Sequence, residues 1–320
     1  MFRIAQRRYL GNKNSILPFI DNIIRDEIDK FNSFCDIFSG TGVVGSYFNK
    51  KDIKIISNDL LYHNFVSLNA FLNQEEFNQD KILGIIDKFN NSSPKQENYF
   101  SKNFGDRYFS NENAKKIGYI REKFILITSL NYSIDKISHT VGHYDAYIKK
   151  EIKESIFKMK MLDIEIEANK NNEIYNKDAN LLIRDIECDI LYLDPPYNSR
   201  QYSDAYHLLE NLSLWQKPQL FGVAKKFDRS KIKSEYCKVN AYNQFDDLIY
   251  NAKCKYILLS YNNMGNSGNS RSNAKISDDE IMTSLSKRGK VKIFEQDYRE
   301  FNAGKEKNYI SYNRDIRIAS

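Results

Sequence analysis

The chain has 320 residues, with 48 Lys and Arg against 42 Asp and Glu and a formal net charge of +6. That length fits one large α/β domain or a core domain carrying an inserted one, and the charge suits a nucleic-acid partner without histone-like basicity. No stretch approaches the ~20 apolar residues of a membrane span, so no membrane association and a cytoplasmic location are expected.

Near the N-terminus, Ile16, Ile20, Ile23, Ile24 and Ile28 predict one apolar face of a helix beginning near Ser15. "FCDIFSGTGVVGSYF" follows as a strand through Phe38, a glycine turn, and a helix packing Val43, Val44, Tyr47 and Phe48. "IKIISN" is a second strand ending at Asp59, before a helix with Phe65, Leu68 and Leu72 along one side. This βαβα order opens a doubly wound sheet. Over 80–172 the rhythm loosens into polar, turn-rich sequence with helical segments expected at Ile117–Leu130 and Tyr147–Leu162. The sheet resumes at "EIYNKDANLLI" and "DILYLDPPY". The expected organisation is a domain of residues 1–79 and 173–320, interrupted by an inserted domain at 80–172.

Beyond this point, Leu208, Leu209, Leu212 and Trp215 have helical spacing. The loop from Lys217 to Lys238 holds seven basic and two acidic residues. "YILLSYNNMG" is a further strand and turn, and "ISDDEIMTSLSKRG" a helix with acids in its first turn, as the macrodipole favours. "KVKIFEQDY" and "NYISYN" are expected as two closing strands. Cys35, Cys188, Cys237 and Cys254 are scattered, which predicts reduced thiols and neither a zinc site nor a disulfide framework. His139 and His143 share a helical spacing in "HTVGH", but a glycine and the lack of a glutamate argue against a metal site, and none is expected.

Four strand ends carry the chemistry. Gly40, Gly42 and Gly45 let the backbone approach a ligand and offer free N–H groups at a helix start. Asp59 ends the second strand, where an acid can accept both hydroxyls of a ribose. Asp178 ends the third strand and Asp194 the fourth, so glycines and acids would line one sheet edge around a nucleoside-containing cofactor. Proline cannot donate to a sheet ladder, so Pro195 and Pro196 stop the fourth strand on its acid.

"RRYLGNK" at 7–13, "DIFSGTG" at 36–42, Asp59, the insert, Asp178 and "DPPY" at 194–197 stand in one family's order. The chain resembles the adenine-specific DNA methyltransferases of the Dam-like class, whose target-recognition domain lies between cofactor motif and catalytic motif. The resemblance covers nearly the whole chain. It implies the seven-stranded class I methyltransferase sheet, mostly parallel with one antiparallel strand near the edge, carrying an inserted, mainly helical target-recognition domain. It also implies S-adenosyl-L-methionine bound at Tyr9, Lys13, Asp36, Phe38, Gly40, Gly42, Asp59 and Asp178. Asp59 would take the ribose hydroxyls and Asp178 the adenine amino group.

On that resemblance Asp194, Pro195, Pro196 and Tyr197 are the catalytic set. The Asp194 carboxylate and the Pro195 carbonyl would accept hydrogen bonds from the target amino group, exposing the nitrogen's lone pair, while Tyr197 stacks on the flipped base. Double-stranded DNA is the implied partner, in the modification arm of a restriction–modification system that leaves room for a cognate endonuclease. Lys225, Lys226 and Arg229 centre the basic loop and are expected to meet phosphates. "NSRQYSDAY" is expected to line the flipped-base pocket. Aspartate rather than serine before the prolines favours adenine over the N4 of cytosine. An RNA or protein amide N-methyltransferase and a catalytically idle DNA-binding regulator remain the alternatives. Recognition site and oligomeric state are not legible.

Overall fold

In the computed structural model, residues 1–11, 13–50, 52–123, 126–152, 155–262, 274–299 and 311–319 are described. Helix α1 (Leu17–Glu27) buries Leu17, Ile20, Ile23 and Ile24 and carries Pro18 in its first turn, where proline's missing N–H costs nothing. Then β1 (Ser33–Asp36), α2 (Val43–Phe48), β2 (Lys54–Asn58) and α3 (Tyr62–Leu72) follow in the expected alternation.

Helices α4 (Gln79–Asn90), α5 (Tyr99–Phe104), α6 (Asn111–Lys123) and α7 (Ile127–Ile137) occupy the interrupting segment. The helix expected across 117–130 is thus two helices, α6 and α7. The helix expected across 147–162 is absent among the described residues. There Phe157, Met159 and Met161 are buried while Lys158 and Lys160 between them are exposed, a period of two that makes extended chain. Asn90 pins this stretch by accepting from the Met159 N–H at 2.8 Å.

The sheet returns with β3 (Glu173–Tyr175), α8 (Ala179–Leu182) and β4 (Cys188–Leu193). Short helices α9 (Tyr202–Ala205) and α10 (His207–Leu214) precede α11 (Ala241–Asn251), β5 (Cys254–Asn262), α12 (Asp278–Ser286), β6 (Val291–Arg299) and β7 (Ser311–Ala319). Ser277 and Glu280 cap α12 reciprocally. The turn expected at 263–265 and the first residues of "NYISYN" lie outside the described residues.

Seven strands form one sheet in the order β3-β2-β1-β4-β5-β7-β6. The first five are mutually parallel, and β7 runs antiparallel to both β5 and β6. Apolar clusters cover both sheet faces, which is why β1 and β4 are apolar throughout their centres. A third cluster, from Ile86 to Met161, is shared with Ala205, Tyr206, Leu208, Leu209 and Leu212 of α9 and α10. The interrupting segment therefore packs directly against the helices that follow β4.

Candidate active site at the strand ends

A pocket opens at the carboxyl ends of the parallel strands. Asp36, Phe38 and Gly40 line it after β1, Asp59 after β2, Asp178 after β3, and Asp194 and Pro196 after β4. Tyr9 and Lys13 reach it from the N-terminal segment. The crossover connections bring these residues together, because consecutive parallel strands all end on the same edge.

The glycine turn is specified by backbone geometry. Gly40 and Gly42 take φ of +54° and +81°, a region costly for any side chain. A Cβ at Gly42 would come within 2.4 Å of Leu68, so the turn packs on α3 only without one. Gly42 thus shapes the turn from behind the lining. The Gly40 N–H donates to Asp59 Oδ2 at 2.9 Å, and the Leu61 N–H to Asp59 Oδ1 at 2.8 Å. Burial nevertheless pushes the Asp59 carboxyl up to about 6. Asp178 caps α8, accepting from the N–H groups of Asn180 and Leu181 at 2.9 and 3.2 Å.

Asp36 is the most perturbed acid of the edge. Burial first, and the neighbouring Asp194 charge second, push it up to about 8 against the opposing pull of Lys13. Its Oδ1 has no hydrogen-bond partner within the described chain. A buried, unsatisfied carboxylate oxygen in a ligand-sized pocket suits a ligand that brings a donor or a positive charge.

Asp194 is paired with the Lys13 ammonium, which also donates to the Gly11 carbonyl at 3.2 Å. Its side chain remains 23% exposed, open enough to meet an incoming group. Pro195 is buried and does not line the pocket. Tyr197 does not line it either. Its ring lies edge-on to Tyr261 at 6.4 Å, and its carbonyl accepts from the Lys275 N–H at 2.8 Å. The turn after β4 is therefore tied to the segment before α12.

Of the "NSRQYSDAY" segment, Gln201, Tyr202 and Ser203 line the pocket. Sequence reading missed the ring cluster that Tyr202 joins: Tyr9 stacks on Tyr206 (4.5 Å, 8°) and on Tyr202 (5.5 Å, 22°), and those two rings lie 6.3 Å from each other. It also missed Asn64, which donates to the Tyr9 hydroxyl at 3.0 Å and accepts from buried Arg7 at 3.3 Å. Glu210 of α10 grips the start of α3, accepting from the N–H groups of Tyr62 and His63 at 2.9 and 3.0 Å. No short motif announces these partners, since each joins residues far apart in the chain.

The basic loop lies against the interrupting segment. Lys226 pairs with Asp145 at 2.6 Å and Arg229 with Asp204 at 2.6 Å, so two of the three expected phosphate-contacting residues already hold acids. Lys217 likewise pairs with Glu122 at 2.8 Å. Lys225, Lys231 and Lys233 have no acidic partner among the described residues, and the last two are exposed. Cys35, Cys188 and Cys237 are buried free thiols, and Cys254 is a half-buried one. Among the described residues no helix is long and apolar enough to cross a membrane.

A 3-2-1-4-5-7-6 sheet with one reversed strand, bearing a glycine turn and strand-end acids around a single pocket, is the class I methyltransferase architecture. Within that class the chain belongs to the D12 class of N6 adenine-specific DNA methyltransferases, whose sequence model matches residues 9–272. It is 32% identical to the type II methyltransferase M.FokI of Planomicrobium okeanokoites and 34% identical to the modification methylase StsI of Streptococcus sanguinis. These matches span 92% and 97% of this chain but 50% of each relative, so the chain spans about half the length of these two curated relatives. The type II methyltransferase M.NlaIII of Neisseria lactamica is 31% identical over 94% of both chains.

Proposed function

We propose that the protein methylates the N6 amino group of adenine at specific sites in double-stranded DNA, using S-adenosyl-L-methionine. The observation that carries this reading is the convergence of Asp194 with Asp36, Gly40, Asp59 and Asp178 in one pocket. Bound S-adenosyl-L-methionine would supply a methyl group on a sulfonium, an electrophile open to direct displacement. The pocket residues fit it: Asp36 offers an unsatisfied acceptor for a cationic group, and Asp59 offers lone pairs beyond its two N–H contacts for a ribose diol. Tyr9, Lys13, Phe38, Gly42 and Asp178 complete that side of the site.

An adenine amino nitrogen is a weak nucleophile because its lone pair is conjugated with the ring. Asp194 and the Pro195 carbonyl accept its two hydrogens, letting the nitrogen pyramidalise and present the lone pair. Pro195 and Pro196 fix the carbonyl's direction, and Tyr197 offers a face for the extruded base. Lys13 holds one oxygen of the Asp194 carboxylate and also donates to the Gly11 carbonyl, fixing the orientation in which Asp194 meets the incoming amino group. After transfer the nitrogen carries a positive charge and loses a proton readily, so Asp194 need not be a strong base. Positioning supplies much of the acceleration.

On the DNA side, Lys225, Lys231 and Lys233 are the cations ready for phosphates. Lys226 and Arg229 become so only by exchanging Asp145 and Asp204 for them. The segment 80–172 is the target-reading unit, a reading supported by the apolar cluster it shares with α9 and α10 and by its contacts with the basic loop. Curated relatives are named as modification methylases, which supports a modification role beside an endonuclease, in the cytoplasm. Sequencing DNA from cells expressing the chain, by a method that detects N6-methyladenine, is expected to reveal one modified motif. Unmodified DNA alongside folded protein, or methyl transfer to RNA alone, would overturn the reading.

A further inference from the structure

Charge does not account for the tip of the basic loop. Phe221 and Val223 stand 55% and 71% exposed there, an arrangement that gains nothing from water. Their backbone is nonetheless built. The Phe221 N–H donates to the Lys226 carbonyl at 2.7 Å and the Lys226 N–H to the Phe221 carbonyl at 3.0 Å, closing a hairpin. Gly222 and Lys225 take φ of +66° and +53°, and the lysine holds that uncommon conformation only because its surroundings fix it. Buried Tyr108 donates to the Ala224 carbonyl at 3.1 Å, and the Lys226–Asp145 pair secures the hairpin's return.

The other end of the same loop belongs to the active site. Ile232 and Ser234 line the pocket, and the Gln201 amide bonds the Ser234 backbone in both directions, at 2.9 and 2.8 Å. Between tip and pocket, Arg229 is held by Asp204 of α9, one residue from pocket-lining Ser203. A single braced loop therefore joins the pocket wall to an apolar tip. Lys225, within the hairpin, and Lys231 and Lys233, either side of pocket-lining Ile232, form no ion pair among the described residues.

We propose that Phe221, with Val223 beside it, inserts into the base stack of bound duplex DNA and fills the space left as the target adenine turns out. This inference rests on the DNA-methyltransferase reading above. An apolar side chain entering between base steps offsets lost stacking, and the cations spaced along the loop from tip to pocket match a polyanion. A protein partner would more naturally meet the tip through an apolar surface with acids opposite the lysines, and becomes an outcome of the test.

The test uses the full chain and two sets of duplexes carrying the motif that the wild-type protein methylates, one with 2-aminopurine at the target position for fluorescence and one with adenine there for methyl transfer. Phe221→Ala is expected to lower the fluorescence rise at saturating protein and to slow single-turnover methyl transfer roughly 10-fold, with cofactor binding and melting temperature unchanged. Phe221→Leu should recover part of the rate. A mismatch opposite the target adenine, which already weakens pairing, should bring Phe221→Ala within about 3-fold of wild type on the same duplex. An equal defect on matched and mismatched duplexes, or no defect on either, would overturn the wedge while leaving the enzyme's identity intact. A wild-type protein that methylates no DNA overturns the parent reading. Tip variants that instead lose a copurifying protein but flip the base normally would assign the tip to that partner and overturn the wedge.

Discussion

The two sides of the pocket handle charge in opposite ways. At the strand ends, Asp36 and Asp59 are withdrawn from water, and burial raises their carboxyls to about 8 and about 6. Along the basic loop, exposed Lys217 and partly buried Lys226 and Arg229 settle into ion pairs with Glu122, Asp145 and Asp204. A buried charge interacts strongly with whatever ligand satisfies it, whereas a surface pair contributes about 0–1 kcal/mol and acts by number. The strand-end side is thus built for one small ligand with complementary charges in fixed places. On the proposed function the loop side meets a long polyanion, where no single interaction dominates. Single substitutions should accordingly be severe on the first side and mild on the second.

Asp194 stands at the seam between the two, and its removal should have the largest effect. Asp194→Ala is expected to cut methyl transfer by at least ~100-fold, measured by single-turnover kinetics, with cofactor affinity retained. Activity within a few-fold of wild type would remove the carboxylate from the chemistry. Asp59→Ala should come next. It strips the acceptor from Gly40 and Leu61 as well as from the ligand, so cofactor Kd by calorimetry should rise roughly 10-fold or more at about 1 kcal/mol per lost bond. An unchanged Kd would mean that the acid only braces the turn.

A third measurement tests burial itself. The native state holds the Asp36 proton to about 8, whereas the unfolded chain releases it near 3.8. More protons are bound in the folded state across that window, so stability falls as pH rises through it. The melting temperature of the cofactor-free protein should therefore decline from about pH 4 to about pH 8, and Asp36→Asn should flatten the decline. Asp59 adds a decline of the same sign ending near 6. A slope unaffected by Asp36→Asn would break the contrast between the sides. The smallest effect is expected on the loop. Replacing Lys225, Lys231 and Lys233 by Ala should weaken all duplexes alike and lower the salt slope by roughly one for each phosphate no longer neutralised. Altered sequence preference at constant slope would move the loop to base reading.

The same division governs what could be read from the sequence. Strand-end acids were legible because a short apolar run closed by Asp or Pro reports its own end, as at Asp59 and Asp194, whereas Asp36 entered only through the family resemblance, the first strand being expected to run on to Phe38 and ending instead at the acid. Asp178 was legible for the same reason, although it sits as the cap of α8 rather than in the strand itself. Residues 147–162 misled because Phe157, Met159 and Met161 can be fitted to a helix until the exposed lysines between them are weighed. The tyrosine stack of Tyr9 on Tyr206 and the Lys13–Asp194 pair join distant parts of the chain that no local pattern relates. Loop charge was visible in the sequence, but which cations were already spoken for was not. Asp145 and Asp204 neutralise Lys226 and Arg229 from other elements, and attention falls instead on Lys231 and Lys233.

The pairing of β1 with β4 has a consequence for how the molecule assembles. Phe34 lies opposite Ile190, and the hydrogen bond between Ser33 and Asp189 closes a loop of 156 positions at the centre of the sheet. During synthesis, β1 and β2 emerge early and can pair at once, but the face of β1 that meets β4 stays open until the whole interrupting segment has left the ribosome. That edge is flat, apolar and ready to pair, the kind of surface on which nascent chains aggregate. Local helices α4 to α7 can form meanwhile, since their contacts are short in sequence. Closure of the central strand pair therefore carries the entropy cost of a long loop, and its rate sets how long that edge of β1 stays exposed.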